Sequence, residues 1–255
     1  MNKVIYTILV GRYDNLKQPL VVDDSFDYIC FSNDINKEKV GVWRIKKISF
    51  ENNDATRVSR YPKLLPHQVL QEYDYSLYID ANIQIISREL YDLINQKIEK
   101  KVLIAQVPNI FRSCIYKDIE IAYRKGKVDF RGAKKQYLHL KKEHFPENYG
   151  LFENNVILRK HNDPKVIAIS EAWWKEYCSY THRDQFCLMY IYWKYNYMPI
   201  FLFGEGINAR NVFFLKLVKH PRKKIIFEKS EKMNEYIDKL HSLIRKFIWR
   251  SFVIK

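Results

Sequence analysis

The chain has no closely spaced cysteine pair: Cys30, Cys114, Cys178 and Cys187 are scattered, each among apolar or aromatic neighbours. That excludes a disulfide framework and predicts small core thiols in a reducing compartment. It also lacks an uninterrupted apolar span. The most apolar stretch, Phe186 to Phe203, is broken by Lys194, Asn196 and Pro199, short of the about 20 residues that cross a bilayer. Met1 to Val10 has neither the length nor the small-residue cleavage site of a signal peptide and reads as a first strand. A cytoplasmic protein is therefore expected, peripheral on a membrane at most. Acidic residues are few, 29 against 44 Lys and Arg, so the net charge is +15. Much of the excess is late: Arg210 to Lys255 has 13 basic and 4 acidic residues. Such an excess points to a polyanion, whether nucleic acid, anionic lipid or acidic glycan. No helix-turn-helix, finger or RNA-binding signature accompanies it, which argues against nucleic acid. With 47% hydrophobic and 15% aromatic residues, the 255-residue chain has enough apolar material for a sizeable core.

The chain is organised around Tyr73-Asp74-Tyr75-Ser76-Leu77-Tyr78-Ile79-Asp80-Ala81-Asn82. Leu77 to Ile79 is a short apolar run suited to a strand buried on both faces, and it ends in two oxygen-bearing side chains. Ligands of open α/β sheets bind beyond the carboxyl ends of such strands. In extended backbone, Asp80 and Asn82 would share a face and could hold one hard cation or part of a nucleotide between them. A polar strand end that merely caps a turn is the plainer alternative.

Other segments agree with the ligand reading. Val10-Gly11-Arg12-Tyr13-Asp14, Asp27-Tyr28-Ile29-Cys30-Phe31, Arg57 through His67, and Leu77 through Asn82 occur in order, followed by Arg112-Ser113-Cys114-Ile115-Tyr116, Gly150-Leu151-Phe152-Glu153, Val156 through His161, Trp173-Trp174 and Arg183-Asp184-Gln185. This ordered set, from about residue 4 to about residue 195, resembles a family of plant and bacterial glycosyltransferase-like proteins of the TOD/MUCI type. The resemblance implies a GT-A fold, α/β and Rossmann-like with a mostly parallel central sheet, in which a D-x-D holds a divalent cation and a nucleotide-sugar diphosphate. Here the third position is Asn82.

The same resemblance assigns roles along the chain. Tyr6, Thr7 and Tyr13, around the loop after the first strand, would contact the base of the donor. Independently of the resemblance, Arg60 and Lys63, three apart on a helix starting near Asp54, are read from their spacing as cradling the diphosphate, since guanidinium and ammonium both suit phosphate; a solvated surface is the plainer alternative. Pro62 strains that helix. Gly150 to Asn155 reads as a polar turn entering a strand at Val156, and Glu153 and Asn154 would touch the donor sugar. Asp184 and Gln185, at the start of the helix Phe186 to Tyr195, would position the sugar at its anomeric carbon; the structural alternative is that Asp184 only complements the helix dipole. Mn²⁺ or Mg²⁺ would be held by Asp80, Asn82 and a late histidine, His220, with His161 as its rival. Lys117 to Glu143 reads as a lysine-rich helical insertion broken near Gly126 and Gly132, a possible wall for an acidic acceptor. Trp173-Trp174 reads as core packing.

Residues 1–230 are expected to form the transferase domain and residues 231–255 a basic amphipathic helix. Met233, Tyr236, Ile237, Leu240, Leu243, Ile244, Phe247 and Ile248 recur at steps of three and four, with Lys239, Arg245, Lys246 and Arg250 around them. Trp249 and Phe252 add more aromatic surface than one docking face needs. That favours residues 233–255 lying on an anionic membrane over packing on the domain. The reading is thus a metal-assisted hexosyltransferase that uses a nucleoside diphosphate sugar and a glycan or lipid-linked acceptor. No inverting base is evident, which favours retention. Two alternatives stay open: a polyanion-binding module that has lost catalysis, and a nucleotidyltransferase.

Overall fold

Strand-forming runs and amphipathic helices alternate along the chain, the pattern that builds a helix-covered parallel sheet. The computed structural model describes residues 1–11, 14–181, 183–218 and 231–253, with side chains from residue 237 onward in the last segment. Tyr13 and His220 lie outside the described residues, as do the side chains of Met233 and Tyr236. In chain order the elements are β1 (Lys3–Ile8), β2 (Asp27–Phe31), β3 (Lys39–Val40), β4 (Trp43–Lys46), α1 (Ala55–Leu64), α2 (Pro66–Val69), β5 (Tyr75–Ile79), β6 (Ile83–Ile85), α3 (Glu89–Glu99), β7 (Ile104–Pro108), α4 (Ile115–Arg124), α5 (Phe130–Lys142), β8 (Phe152–Arg159), α6 (Pro164–Ser179), α7 (Gln185–Lys194), β9 (Ile200–Phe201), β10 (Leu215–Leu217) and α8 (Glu231–Val253).

The main sheet has the order β3-β4-β2-β1-β5-β8-β7-β9. Strands β4, β2, β1 and β5 run parallel, and β8 enters antiparallel between β5 and β7. The architecture is the α/β, mostly parallel sheet that the GT-A resemblance implies. Both faces are covered, so β5 and β7 are buried along their whole length, with Ser76 and Gln106 as their polar members. One core unites the sheet with α1, α4, α6 and α7; the other sets Leu90, Tyr91, Ile94 and Ile98 of α3 against the opposite face. Cys30, Cys114 and Cys187 are buried and unpaired, as expected.

Three local expectations are corrected. The segment before Val156 is strand rather than turn, because β8 already starts at Phe152. The lysine-rich insertion is two helices broken only at Gly126, whose φ of +66° glycine adopts without strain; Gly132 sits inside α5, where its N–H donates to the Asp129 cap. Pro62 lies near the end of α1 without interrupting it.

The last helix reverses its expected orientation. Trp249 is buried, its ring 5.8 Å from Tyr123, 6.4 Å from Phe130, 5.6 Å from Tyr137 and 5.4 Å from Phe252. The two aromatics expected to be surplus form the docking face. The aliphatic stripe faces outward instead, with Leu240, Leu243, Ile244 and Phe247 between 47% and 73% exposed. Because Trp249 belongs to the core, Trp249→Ala should destabilise the protein by about 3 kcal/mol, and a chain ending at Ser230 should be destabilised as well. Urea unfolding followed by circular dichroism measures both; an unchanged midpoint in Trp249→Ala would show that α8 docks without contributing to the fold.

Candidate active site

β5 delivers Asp80 to the carboxyl edge of the sheet, and the chain turns there at once. Ile83 N donates to Asp80 O at 2.9 Å, so Asp80 to Ile83 form a tight turn and not further strand. The expected shared face of Asp80 and Asn82 is therefore lost. Asn82 is buried and ties the turn down: its Nδ2 donates to Val218 O at 3.1 Å, and Val218 N donates back to Asn82 O at 2.8 Å. β6 and β10 continue this junction as a two-stranded antiparallel ribbon.

Asp80 keeps a side chain 37% exposed, which makes it the accessible carboxylate of the site. Its Oδ1 accepts from the Tyr78 hydroxyl at 2.6 Å. Tyr78 is held protonated, since burial and then the Asp80 charge raise its pKa well above the ordinary phenol value. Lys63 Nζ lies 3.7 Å from Asp80 Oδ1 and 2.8 Å from Asp184 Oδ2, the nearer contact being an ion pair off hydrogen-bond alignment. Arg60 Nε stands 3.4 Å from the same Asp184 oxygen. Burial acts to raise the Asp184 pKa, but Lys63 and then Arg60 outweigh it and hold the carboxyl well below its usual range. Asp184 does not use its carboxylate as a helix cap; its backbone is already helical and its side chain goes to the α1 cations.

These contacts change the expected role of Lys63. Its side chain is only 4% exposed and its ammonium is committed to two carboxylates, so it organises the site more than it offers a free grip for phosphate. Arg60 is more open, at 28%. Tyr6 is also corrected: it is fully buried, its ring 5.3 Å from Tyr78, and its hydroxyl accepts from Arg159 Nη2 at 2.6 Å. It belongs to the core and not to a base pocket. Thr7 is different. It lines a narrow crevice with Lys17, Trp43, Asp80 and Ala81, and its buried hydroxyl has no hydrogen-bond partner. The crevice holds about 10 Å³, room for one water.

The β8 side of the site comes from a bulge. The β7–β8 register passes from Gln106↔Ile157 to Val107↔Glu153, leaving extra residues of β8 at the level of Asp80. There Asn155 O accepts from Asp80 N at 2.9 Å. Glu153 is buried and pairs with both oxygens to Arg210 Nη1, at 2.5 and 2.7 Å, while accepting from Asn155 Nδ2 at 2.8 Å. Asn154 Oδ1 accepts from Gln106 Nε2 at 2.6 Å. Gln185 Nε2 reaches Phe152 O at 3.4 Å, joining the start of α7 to the start of β8.

The structure thus brings Arg60, Lys63, Asp80 and Asp184 into one chain of contacts, with Gln185 following Asp184 and turned to the start of β8, and sets Glu153 and Asn154 beside the Asp80 turn. His161 is excluded from it: fully buried near the far end of β8, its Nε2 faces Leu70 O at 2.8 Å, and burial lowers its pKa to about 4. Sequence reasoning missed Arg210, counted only within the basic tail, and Arg159, a buried guanidinium. For neither does spacing give a signal, because their partners lie far away in sequence.

Among the described residues no group of three His, Cys, Asp or Glu stands ready to hold a metal. Asp80 and Asn82 nevertheless fit a hard cation of the Mn²⁺ or Mg²⁺ type, for which one carboxylate and one amide oxygen suffice when substrate phosphates and waters complete the shell. The exposed Asp80 oxygen edge is the side from which such an ion would enter.

The sequence model of the TOD1/MUCI70, glycosyltransferase-like domain matches residues 2–220. The probable hexosyltransferase MUCI70 of Arabidopsis thaliana is 23% identical over 208 residues, a match covering 71% of this chain and 36% of that protein. The chain spans about a third of the length of that relative. Among solved structures, the bifunctional glycosyltransferase WbbM is 14% identical with a TM-score of 0.42, over 78% of this chain and 38% of its own. Mouse xyloside xylosyltransferase 1 is 10% identical with a TM-score of 0.45, over 78% and 85%. Core-mannan synthase A of Aspergillus fumigatus, in a Mn/GDP form, is 7% identical with a TM-score of 0.46, over 79% and 70%.

The Asp184 pair gives a pH signature. A carboxylate with a depressed folded-state pKa contributes stability that is present above its unfolded pKa of about 3.9 and is lost as pH falls towards the folded value. Asp184→Asn, which leaves Lys63 and Arg60 without their shared counter-charge, should cost about 3–5 kcal/mol at pH 7. Its deficit should shrink below about pH 4, where the unfolded wild-type chain takes up a proton on Asp184 while the folded carboxylate stays charged. Urea midpoints of both proteins from pH 7 to pH 3 measure this, and a deficit constant over that range would rule out the ion pair as its source.

Proposed function

Because the chain belongs to the TOD1/MUCI70 glycosyltransferase-like family, we propose that it transfers a hexose from a nucleoside diphosphate sugar, a UDP-sugar, to a glycan or lipid-linked acceptor, with retention at the anomeric carbon. The observation that carries this reading is the convergence of Asp80, Lys63 and Asp184 at the carboxyl edge of β5, where an exposed carboxylate, a buried ammonium and a buried carboxylate lie in one contact chain.

In transfer, negative charge grows on the leaving diphosphate as the glycosidic bond breaks, so groups that stabilise that charge accelerate the reaction. Mn²⁺ or Mg²⁺ on Asp80 and Asn82 would supply Lewis-acid stabilisation of the leaving group. Arg60, the more open of the two α1 cations, is assigned to the diphosphate. Lys63 positions Asp80 and Asp184 against each other. Asp184 and Gln185 orient the sugar at the anomeric carbon, while Glu153 and Asn154, held by Arg210 and Gln106, receive its hydroxyls. The unpartnered Thr7 hydroxyl is assigned to the nucleoside, which requires the Leu16 to Pro19 segment to move off the narrow crevice.

The outward stripe of α8 supports a second element of the proposal. No described helix is long and apolar enough to cross a membrane. Leu240, Leu243, Ile244 and Phe247 instead give α8 an apolar face on a chain of net charge +15, the combination that suits an anionic bilayer surface. A lipid-linked acceptor would be met there.

Two measurements test these assignments. A thermal-shift screen of nucleotide sugars with and without Mn²⁺ should give one donor that raises the melting temperature only with metal, because a ligand bound to the native state alone stabilises it by mass action. Asp80→Ala should abolish both that shift and donor hydrolysis while circular dichroism stays native; near-wild-type turnover would remove Asp80 from the site. Separately, Phe247→Asp should weaken sedimentation with phosphatidylglycerol vesicles at low salt by roughly tenfold without altering stability, since Phe247 is 73% exposed. Unchanged sedimentation would place any membrane contact elsewhere.

A further inference from the structure

A cleft of about 570 Å³ lies apart from the Asp80 site, walled by the turn between α4 and α5, by Tyr180 and Thr181, and by Arg245 of α8. Its volume is within the range that holds a small saccharide. Four features of its lining bear on what it takes. The walls include Tyr123, Phe130 and Tyr180, whose side chains give the cleft apolar surface against which the C–H groups of a pyranose ring can pack. Two cations, Lys127 and Arg245, line the same space. Gly126 sits with its bare face against the Arg245 guanidinium, where a Cβ would push the guanidinium aside. Thr181 is 5% exposed and its hydroxyl has no hydrogen-bond partner, a buried donor lacking its acceptor.

The acidic member of the lining is already engaged. Asp129 Oδ1 accepts from Gly132 N at 2.7 Å as the cap of α5, which limits its repulsion of an incoming anion. Lys127 is a strained cation: burial lowers its pKa, and Arg183 and Lys125 add to the effect ahead of any relief from Asp118. An anionic ligand would relieve it. The position also suits a partner of the reacting site, because Thr181 lies three residues before Asp184 in sequence and Arg183 stacks its guanidinium over Phe186 of α7, 5.4 Å from the ring centroid.

We propose that this cleft is the acceptor subsite and that it takes a saccharide carrying a negative charge, a phosphate or a carboxylate. Lys127 and Arg245 bind the charged group, the Thr181 hydroxyl donates to it or to a neighbouring oxygen, and the aromatic walls hold the ring. The proposal rests on the glycosyl-transfer reading for the word acceptor, but its binding chemistry does not depend on the donor.

Ligand-observed NMR on the full chain tests it with glucose 6-phosphate, glucuronate, methyl glucoside and inorganic phosphate as probes. Glucose 6-phosphate and glucuronate should bind and methyl glucoside at least tenfold more weakly. Arg245→Glu and Lys127→Gln, each checked for native circular dichroism, should weaken the two acidic sugars at least tenfold, and Thr181→Val a few-fold. All three variants should bind the nucleotide-sugar donor as the wild type does. Equal binding of methyl glucoside, or acidic-sugar binding untouched in both charge variants, overturns the proposal. So does inorganic phosphate binding as tightly as glucose 6-phosphate, which would make the cleft an anion site without sugar recognition. Loss of phosphatidylglycerol-vesicle binding in Arg245→Glu with acidic-sugar binding intact would reassign that cation to the membrane and overturn it too. If no nucleotide sugar binds the wild type while the acidic sugars do, the transferase reading fails and the cleft assignment stands as a binding site.

Discussion

The buried ammonium of Lys63 is the interaction on which the site depends. It ties α1 to the end of β5 and, together with Arg60, to the start of α7, by standing 2.8 Å from Asp184 and 3.7 Å from Asp80. A buried cation between carboxylates is costly to form and far costlier to leave half-formed, since removing one member strands the others in low dielectric. Its net contribution to stability is therefore small beside its effect on geometry. Neither carboxylate can drift away without costing the ammonium a partner. Asp80, open to solvent on one edge, consequently has its other edge pinned by Lys63 and Tyr78.

The antiparallel insertion of β8 completes this arrangement from the opposite side. A further parallel strand next to β5 would run with it and carry its carboxyl end to the same edge; β8 runs the other way and brings its amino end there. Glu153 and Asn154 therefore arrive beside Asp80, and the bulge opposite Gln106 and Val107 holds extra residues at that level. At the other end of β8, Arg159 Nη2 donates to Lys63 O at 2.7 Å, a cation placed on the last turn of α1 where carbonyls lack helical partners. One strand thus fastens the helix that carries Arg60 and Lys63 and presents residues to the site those cations build.

Much of this was legible in the sequence, and the illegible part has a physical pattern. Strands β1, β2 and β5 and helices α3, α6 and α7 follow local apolar periodicity, and each stood where the pattern put it. The ordered motifs bring Arg60, Lys63, Asp80, Asp184 and Gln185 into one reading, and ion pairs join the first four of them. What failed depended on distant partners. Tyr6 reads as a loop-side aromatic until the Arg159 guanidinium, 153 residues away, is found on its hydroxyl. Asn82 reads as a strand residue sharing a face with Asp80 until Ile83 N closes a turn on Asp80 O and Val218, 136 residues away, ties the amide down. The polar run Glu153-Asn154-Asn155 looks like a turn because strand residues are seldom so polar. Its polarity is satisfied by Gln106 and Arg210 from other elements.

The last helix shows the same limit in another form. Periodicity finds an apolar stripe on α8 correctly but cannot say which stripe docks, because docking depends on the shape waiting on the partner surface. Here that surface is an aromatic nest of Tyr123, Phe130 and Tyr137, and rings with centroids 5.6 to 6.4 Å from the indole take Trp249 in preference to the aliphatic side chains. With the aromatic face turned inward, Arg245 comes to rest against Gly126 and its charge enters the cleft, while Leu243 and Phe247 are carried outward. The two faces of one helix are therefore not independent features. The rotation that seats Trp249 also sets where the positive charge and the exposed apolar surface fall, so a substitution that turns α8 about its axis would move both together.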